Sequence, residues 1–215
     1  MTLKAQIMPH KVIYLALLFM GFAYVMKDPE LSSGGVSLFS PDNLKSLAND
    51  KSLIFLALGI AVIALDGIFP AKHRDRLVHL RWNDPMPGSR AFSQTVKSDT
   101  RINITNLKSR YGRFPRKAAE QNRLFYKLYQ SVSKSASIQS GHKSYLLTRD
   151  LATMTYVLLV PAIAMACFPA LRKAEALTIL VCGLLLAMIF SIAAKSHSRR
   201  FVANVLAVAS EDHEK

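Results

Sequence analysis

The sequence predicts an all-α integral membrane protein with four transmembrane helices and a basic helical cytoplasmic domain between spans 2 and 3. Two observations lead to this fold class. Hydrophobic residues make up 51% of the 215-residue chain, and most of them are gathered into four blocks separated by polar, charged segments. Lys and Arg are concentrated in the segments that would lie on one side of a membrane crossed by those four blocks. A soluble core would instead show amphipathic periodicity along its helices.

The first predicted unit, residues 1–70, is a membrane hairpin with spans at about 12–26 and 53–70. The first block lies between Lys11 and Lys27, and it is long enough to cross a bilayer if both lysine ammonium groups reach the headgroups. A signal peptide is the alternative interpretation, since a basic start precedes an apolar stretch. No small-x-small cleavage pattern follows the block, so we expect it to be retained as a membrane helix.

An acidic residue, Asp66, interrupts the second block one turn before Pro70. An ionisable side chain within a span is by default a functional hypothesis, here an ion or proton path. The structural alternative places Asp66 just beneath the cytoplasmic headgroups, where Lys72 or Arg74 reaches back to it. We favour this structural pairing.

The second predicted hairpin, residues 151–195, contains spans at about 151–171 and 176–194. Each offers about twenty residues without a charge, enough at a rise of 1.5 Å per residue to cross the hydrocarbon core. Small residues recur at four-residue spacing in both spans, which favours close helix packing within the chain or in a homo-oligomer. Residues 196–215 are predicted to form a short amphipathic cytoplasmic tail that rests on the membrane or covers the basic domain.

The distribution of Lys and Arg predicts the orientation. With four spans, the two termini and the segment 71–150 share one side and hold 23 of the 28 Lys and Arg residues. Positively charged loops are retained on the cytoplasmic side. We therefore expect a multi-pass protein of the cell inner membrane with both termini in the cytoplasm.

The central segment, residues 71–150, is the feature that most favours a functional interpretation. It has seventeen Lys and Arg against five Asp and Glu, and so carries +12 of the chain's net +14. Positive-inside bias with a solvated surface is one explanation. The other is attraction to a polyanion: membrane lipids, nucleic acid, a nucleotide ligand or a cytoplasmic protein partner. Eight aromatic residues in this segment are enough for a small core, which a disordered basic tail lacks.

Two helices are predicted within this segment. One covers about 99–111, capped by Asp99 and ended by Gly112. The other runs from Pro115 to about residue 134, with an apolar stripe and an outward polar face. The stripe consists of Leu124, Phe125, Leu128 and Val132, and the outward face of Glu120, Gln121, Arg123, Lys127 and Gln130. The Ser-rich run 131–141 is predicted to be a hinge, after which residues 142–150 lead directly into the third span.

A basic patch is predicted to bind the ligand or partner. Its members are Arg81, Arg90, Lys108, Arg110, Arg113, Arg116 and Lys117. Arg81 and Arg90 flank a loop with two prolines and a glycine, and the aromatic residues Trp82 and Phe92 are predicted to anchor that loop.

Motifs for common chemistries are absent from the sequence. There is no phosphate loop, GxGxxG turn, HExxH, GxSxG or paired CxxC, so we expect no cofactor and no metal site. His73, Asp75 and His79 are close in sequence, but their spacing does not place them on one helical face. These observations favour a non-enzymatic role.

Function is predicted from architecture alone. The first hypothesis is a non-enzymatic, oligomeric inner-membrane sensor, effector or scaffold whose basic cytoplasmic domain recruits or responds to a partner or polyanionic ligand. Membrane proteins of antiviral defence and stress response are often built this way. The alternatives are an ion channel or pore-forming, membrane-disrupting protein that uses Asp66, and a membrane-embedded enzyme acting on a lipid or anionic substrate through His73, Asp75 and His79.

Overall fold

The computed structural model describes residues 3–26, 67–167 and 173–211, together with the single positions 60 and 64. All regular secondary structure in this part of the chain is helical. Most of the predicted second span, including Asp66, lies outside the described residues, and so does the turn of the predicted second hairpin.

Within residues 3–26, 67–167 and 173–211, three α-helices are long and three are short. The long helices are α1 (Leu3–Met26), α5 (Ala136–Cys167) and α6 (Lys173–Ser210). The short helices are α2 (Ala71–His79), α3 (Ile104–Tyr111) and α4 (Ala118–Val132). A helical segment over 87–98 passes from a 3-10 turn (Pro87–Arg90) through a π turn (Ala91–Thr95) to an α turn (Val96–Ser98).

Two of these helices are long and apolar enough to cross a membrane. The qualifying stretches are Ala136–Ala164 in α5 and Ala176–Ser210 in α6. Residues 142–150 lead without a break into the apolar part of α5, as predicted. The Ser-rich hinge over 131–141 was wrong in extent, because only a short turn at 133–135 separates α4 from α5.

The chain forms two compact units, which are described separately. The first comprises Met1–Ile7, Pro70–Arg149 and Ile189–Lys215, and we call it the basic domain. The second comprises Met8–Phe69 and Asp150–Met188. The basic segment is therefore not self-contained, since the last turns of α6 belong to its domain.

The core of the basic domain is built around Phe201 of α6. Its ring meets Phe125 edge-on at 5.7 Å between centroids and stacks on His142 at 4.6 Å. Val205 and Leu206 of the same helix are fully buried in this core. The predicted amphipathic tail is thus the final part of one continuous helix, and of its two expected placements the structure shows the one that covers the basic domain.

Helix α3 begins five residues later than predicted. Asn103, not Asp99, provides the cap, since its Oδ1 accepts a hydrogen bond from the backbone N–H of Asn106 at 3.1 Å. Asp99 instead pairs with Arg101 at 2.7 Å. Gly112 ends the helix as predicted, with a positive φ of 73° that favours glycine.

Helix α4 begins at Ala118 rather than at Pro115, and its apolar stripe faces the core as predicted, with Phe125 and Leu128 buried. The outward placement of Gln121 was wrong, because this side chain is 2% exposed. Its Oε1 accepts hydrogen bonds from the backbone N–H groups of Phe92 and Ser93 at 3.2 and 3.1 Å. Gln121 therefore satisfies amides at the start of the π turn.

A glycine allows the 3-10 turn to pack directly on α4. A Cβ atom at Gly88 would lie 2.5 Å from Cδ1 of Phe125 and 2.7 Å from Oδ1 of Asn122. Both distances are too short for any side chain, so this position requires glycine. The contact fixes the turn that ends at Arg90.

Each unit contains a buried ion pair made by α5. In the basic domain, Asp75 of α2 accepts hydrogen bonds from the Tyr145 hydroxyl at 2.5 Å and from Nη1 of Arg149 at 3.4 Å. In the second unit, Lys11 of α1 lies 2.5 Å from Asp150. Buried charges require such partners, because desolvation of an uncompensated charge costs several kcal/mol. The two pairs connect α5 to α2 and to α1.

A small-residue face of α6 is used within the second unit. A Cβ atom at Gly183 would lie 2.5 Å from Cδ2 of Leu159 in α5, and Ala187, one turn along, is fully buried. Small-residue faces are predicted to pack either within the chain or between subunits. The face that contains Gly183 and Ala187 packs within the chain.

Candidate anion-binding pocket

A pocket with a volume of about 220 Å³ lies within the basic domain. Its walls come from the end of α2 and the loop after it, from the 87–98 segment, and from α6. Four cationic side chains line it, together with one histidine: Arg81, Arg90, Lys195, Arg199 and His79. We refer to it as the basic pocket.

The chain reversal at the end of α2 places Arg81. Leu80 adopts a left-handed conformation with φ of 52°, which is uncommon for a residue with a side chain. The backbone N–H of Arg81 then donates to the carbonyl of Arg76 at 3.2 Å. This turn ends the helix and directs the chain along the pocket.

The two cations from α6 are one turn apart. Lys195 and Arg199 are at positions i and i+4, so they lie on the same face of the helix. Ser198 and Val202, which neighbour Arg199 on that face, also line the pocket and are buried. Lys195 is half-buried and Arg199 is exposed, so the two cations lie at the edge of the buried face of the helix.

No carboxylate within the described residues pairs with any of the four pocket cations. Elsewhere in the same domain, Arg101 and Arg149 both have acidic partners. Partial burial, followed by the charges of Arg90 and Arg199, lowers the pKa of Arg81. The cations thus repel one another, and a bound anion would relieve that repulsion.

His79 lines the pocket and has one unsatisfied ring nitrogen. Its Nε2 is buried and has no hydrogen-bond partner among the residues that the structure describes. The pKa of His79 is lowered to about 4, first by burial and then by nearby charges. Those charges belong to Arg81, Lys195, Arg199 and Arg149. At neutral pH the ring is uncharged, and in the tautomer with a proton on Nε2 it has one N–H to donate.

Uncharged donors complete the lining. Gln94, Thr95 and Ser198 add an amide and two hydroxyl groups to the cationic set. Guanidinium and ammonium groups with neighbouring hydroxyls are the donors that phosphate and carboxylate oxygens accept most strongly. The pocket therefore has the chemistry of an anion site.

The predicted basic patch separates into two regions in the structure. Arg81 and Arg90 line the pocket, whereas the other five members lie in and after the last turn of α3, before α4. These five are Lys108, Arg110, Arg113, Arg116 and Lys117, and all are exposed. We call this stretch, residues 108–117, the exposed basic segment. Lys117 lies 4.0 Å from Glu120, at the limit of an ion pair.

The two predicted loop anchors, Phe92 and Trp82, differ in how deeply they are buried. Phe92 is 4% exposed and lies in the core, with its ring 4.9 Å from that of Phe114. Trp82 is 80% exposed, so it does not anchor the loop by burial, contrary to expectation. Arg76 holds it instead: its Nε donates to the Trp82 carbonyl at 3.0 Å, and its guanidinium lies 5.9 Å from the ring centroid.

Sequence reasoning missed the α6 side of the pocket. The sequence places Lys195 at the end of the second hairpin and Arg199 in the amphipathic tail, and neither is predicted as a ligand, although an i, i+4 basic pair directly after an apolar block is a usable signal. The neighbouring residues His73, Asp75 and His79 do not form one site. His73 is exposed, Asp75 is held by Tyr145 and Arg149, and His79 lines the pocket.

The described part of the chain contains no group of three His, Cys, Asp or Glu side chains arranged to hold a metal ion. Comparison with protein families, curated proteins and solved structures found no match for this chain.

Proposed function

We propose that the protein is a non-enzymatic inner-membrane sensor, effector or scaffold with four transmembrane helices, which captures a polyanionic ligand or partner in the basic pocket of its cytoplasmic domain. The observation that carries this proposal is the convergence of Arg81, Arg90, Lys195 and Arg199 on one pocket with no described carboxylate beside them. Membrane-bound effectors of antiviral defence or stress response would use such a domain to receive a signal or to hold a partner.

The membrane assignment is supported by the surface of α6. Large apolar side chains are exposed along this helix, among them Leu184, Leu185 and Met188. Only 17% of its most apolar stretch is buried, against 56% for α5. The core helix of a soluble protein buries such residues, whereas a lipid-facing helix exposes them. Exposed Ile13 and Leu17 of α1 add to this surface in the second unit.

The contacts of the pocket favour binding over catalysis. A nucleophilic hydroxyl needs a base within hydrogen-bond distance, usually one that a third group orients. Thr95 and Ser198 line the pocket, but Nε2 of His79 makes no hydrogen bond to either hydroxyl. Four cations without a neighbouring acid stabilise a bound anion and provide no general base.

The proposal is tested on the full-length protein in a neutral detergent by titration calorimetry with two anionic probes, inorganic triphosphate and short-chain phosphatidylglycerol. We expect the wild type to bind at least one of them and the Arg90→Glu/Arg199→Glu double variant to bind neither. The matched control is Arg123→Glu/Arg200→Glu, which reverses two exposed charges on α4 and α6 outside the pocket.

The control should bind as the wild type does. Binding that survives in the pocket variant, or a wild type that binds neither probe, would contradict the proposed function. Circular dichroism of each variant checks that the helices are retained.

A further inference from the structure

We infer that the basic pocket holds the phosphate group of an anionic membrane phospholipid, with the glycerol and acyl chains outside it. This inference rests on the proposed function and names the ligand of the same site. It is supported by the position of the pocket along α6, by the exposed apolar residues on either side of Arg81 in the sequence, by the pocket's volume and by its charge.

The position of the pocket along α6 fits the depth of lipid phosphates. Ile189 and Ile192, which belong to the basic domain, are 60% and 63% exposed. Lys195 is the first charged residue after them, and Arg199 follows one turn later. The predicted fourth span ends at Ala194. At a rise of 1.5 Å per residue, Lys195 and Arg199 lie about 1.5 and 7.5 Å beyond it along the helix axis. The headgroup layer is about 5–8 Å deep on each side of a bilayer.

Exposed apolar side chains flank Arg81 at the pocket. Leu80 is 72% exposed and Trp82 is 80% exposed, and no described core cluster includes either of them. Tryptophan is enriched at the membrane interface, where its ring lies in the headgroup region. The guanidinium of Arg76 over the Trp82 ring suits the same mixed environment. Leu80 and Trp82 precede and follow Arg81 in the sequence without lining the pocket themselves, and their exposed side chains are available to the acyl chains of a bound lipid.

The volume of the pocket favours a phosphate with a small substituent. Pockets for drug-sized ligands are usually about 300–1,000 Å³. The basic pocket, at about 220 Å³, is smaller than that range. It accommodates a phosphate diester and a few neighbouring atoms more readily than a complete nucleotide with its base and sugar.

The charge of the pocket selects among lipids. A zwitterionic headgroup carries an ammonium group next to its phosphate, and four cations without a described carboxylate would repel that group. Phosphatidic acid and phosphatidylglycerol bring a net negative charge and no cation. Nε2 of His79 has no described hydrogen-bond partner. When the neutral ring carries its proton on Nε2, this nitrogen can donate a hydrogen bond to a phosphate oxygen.

The inference is tested by native mass spectrometry of the full-length protein released from a neutral detergent, with each lipid added in turn. We expect bound phosphatidylglycerol and phosphatidic acid, and at least fivefold less phosphatidylcholine at equal concentration. Each cation near an anionic lipid surface contributes about fivefold to affinity. Arg199→Gln should therefore weaken phosphatidylglycerol binding about fivefold, and Arg90→Gln/Arg199→Gln more than tenfold.

Arg200→Gln is the matched control, since it removes an exposed charge from the next position of the same helix but does not line the pocket. It should leave lipid binding unchanged. Lys195→Gln gives a second, independent test if Arg199→Gln does not fold.

A soluble arm distinguishes lipid phosphate from free phosphate. Inorganic triphosphate and adenosine monophosphate should bind at least tenfold more weakly than phosphatidylglycerol. If either binds more tightly than the lipid and loses affinity in Arg90→Gln/Arg199→Gln, the lipid inference fails and the proposed function stands. If Arg199→Gln and Arg200→Gln lose phosphatidylglycerol affinity equally, the pocket is not the lipid site. If the wild type binds none of these anions, both the lipid inference and the proposed function fail.

Discussion

The basic pocket and the exposed basic segment belong to the same domain and have similar numbers of cations, but they differ in how those cations are held. The pocket cations come from three parts of the chain that meet on a buried core. The cations of segment 108–117 are near neighbours in sequence and all point to solvent. Local charge density in a sequence therefore does not separate the two regions, whereas the convergence of cations from distant parts of the chain does.

The difference has an energetic consequence. Charges at an exposed surface are screened by salt over about 8 Å at physiological ionic strength, so each contributes little. In the pocket, partial burial lowers the pKa of both His79 and Arg81, which shows that their charged forms are disfavoured there. An anion that enters the pocket relieves the repulsion among its cations, of which Arg81 and Arg199 are themselves exposed to solvent.

The largest predicted effect comes from the ion pair that holds α2. Asp75→Ala removes this buried carboxylate from Arg149, and loss of one member of such a pair costs about 3–5 kcal/mol. We expect a corresponding fall in the free energy of unfolding, measured by denaturant titration in detergent, and loss of anion binding because α2 carries Arg81 into the pocket. Asp84→Asn, at an exposed position with a positive φ in the following loop, is the control, because asparagine tolerates that conformation.

The second prediction concerns the contact that fixes Arg90. Gly88→Ala introduces a Cβ atom 2.5 Å from Phe125, and overpacking of this kind costs about 1–3 kcal/mol. The melting temperature should fall and anion affinity should weaken. Gly141→Ala is the matched control, since a Cβ there would meet only ordinary contacts at 3.7 Å or more in a helix interior. That variant should be as stable as the wild type or slightly more stable, and a similar loss in both would contradict the role of Gly88.

The third prediction is a dependence on pH. The pKa of His79 is about 4 in the folded protein, below the ordinary histidine value of 6.5. Between those values the unfolded chain binds a proton that the folded chain does not, so folded-state stability falls as pH decreases from 6.5 towards 4. The repelling charges are those of Arg81, Lys195, Arg199 and Arg149.

Melting temperatures measured from pH 7 to pH 4.5 check this prediction. The melting temperature of His79→Asn should fall less steeply than that of the wild type over that interval. Added phosphatidylglycerol should reduce the difference, because an anion in the pocket offsets the repulsion. Parallel curves for the two proteins would show that His79 does not titrate as the structure indicates.

The smallest predicted effect is in the exposed basic segment. Arg113→Gln/Arg116→Gln removes two exposed charges that have no acidic partner among the described residues. Surface charges of this kind contribute within about 0.5 kcal/mol to stability. Melting temperature and phosphatidylglycerol affinity should both stay close to wild type. A loss of affinity as large as that in Arg90→Gln/Arg199→Gln would remove the distinction between the two regions.

Parts of the fold were predictable from local pattern. The 3.6-residue period of α4 identified Phe125 and Leu128 as core residues, and glycine at position 112 marked the end of α3. The choice of cap was not predictable, since Asp99 and Asn103 are both capable of the role. The structure favours Asn103 because its backbone N–H also donates to the hydroxyl of Ser210 at 3.0 Å, a contact between positions 107 residues apart.

Burial of polar side chains was the other limit. Gln121 lies on the polar side of the helical pattern, but the 87–98 segment brings two backbone amides to it that only the tertiary fold supplies. The pocket has the same origin. Arg81 and Arg90 were selected from a loop flanked by aromatic residues, whereas Lys195 and Arg199 are more than a hundred residues away and join them only when α6 packs on the domain.

The most direct measurement is an electron cryo-microscopy map of the full-length protein in nanodiscs that contain phosphatidylglycerol. The account predicts density for a lipid phosphate within hydrogen-bond distance of Arg90, Arg199 and Nε2 of His79, with no ordered phosphate along residues 108–117. A carboxylate of the chain filling the pocket, or an ordered phosphate at the exposed basic segment and none in the pocket, would contradict it.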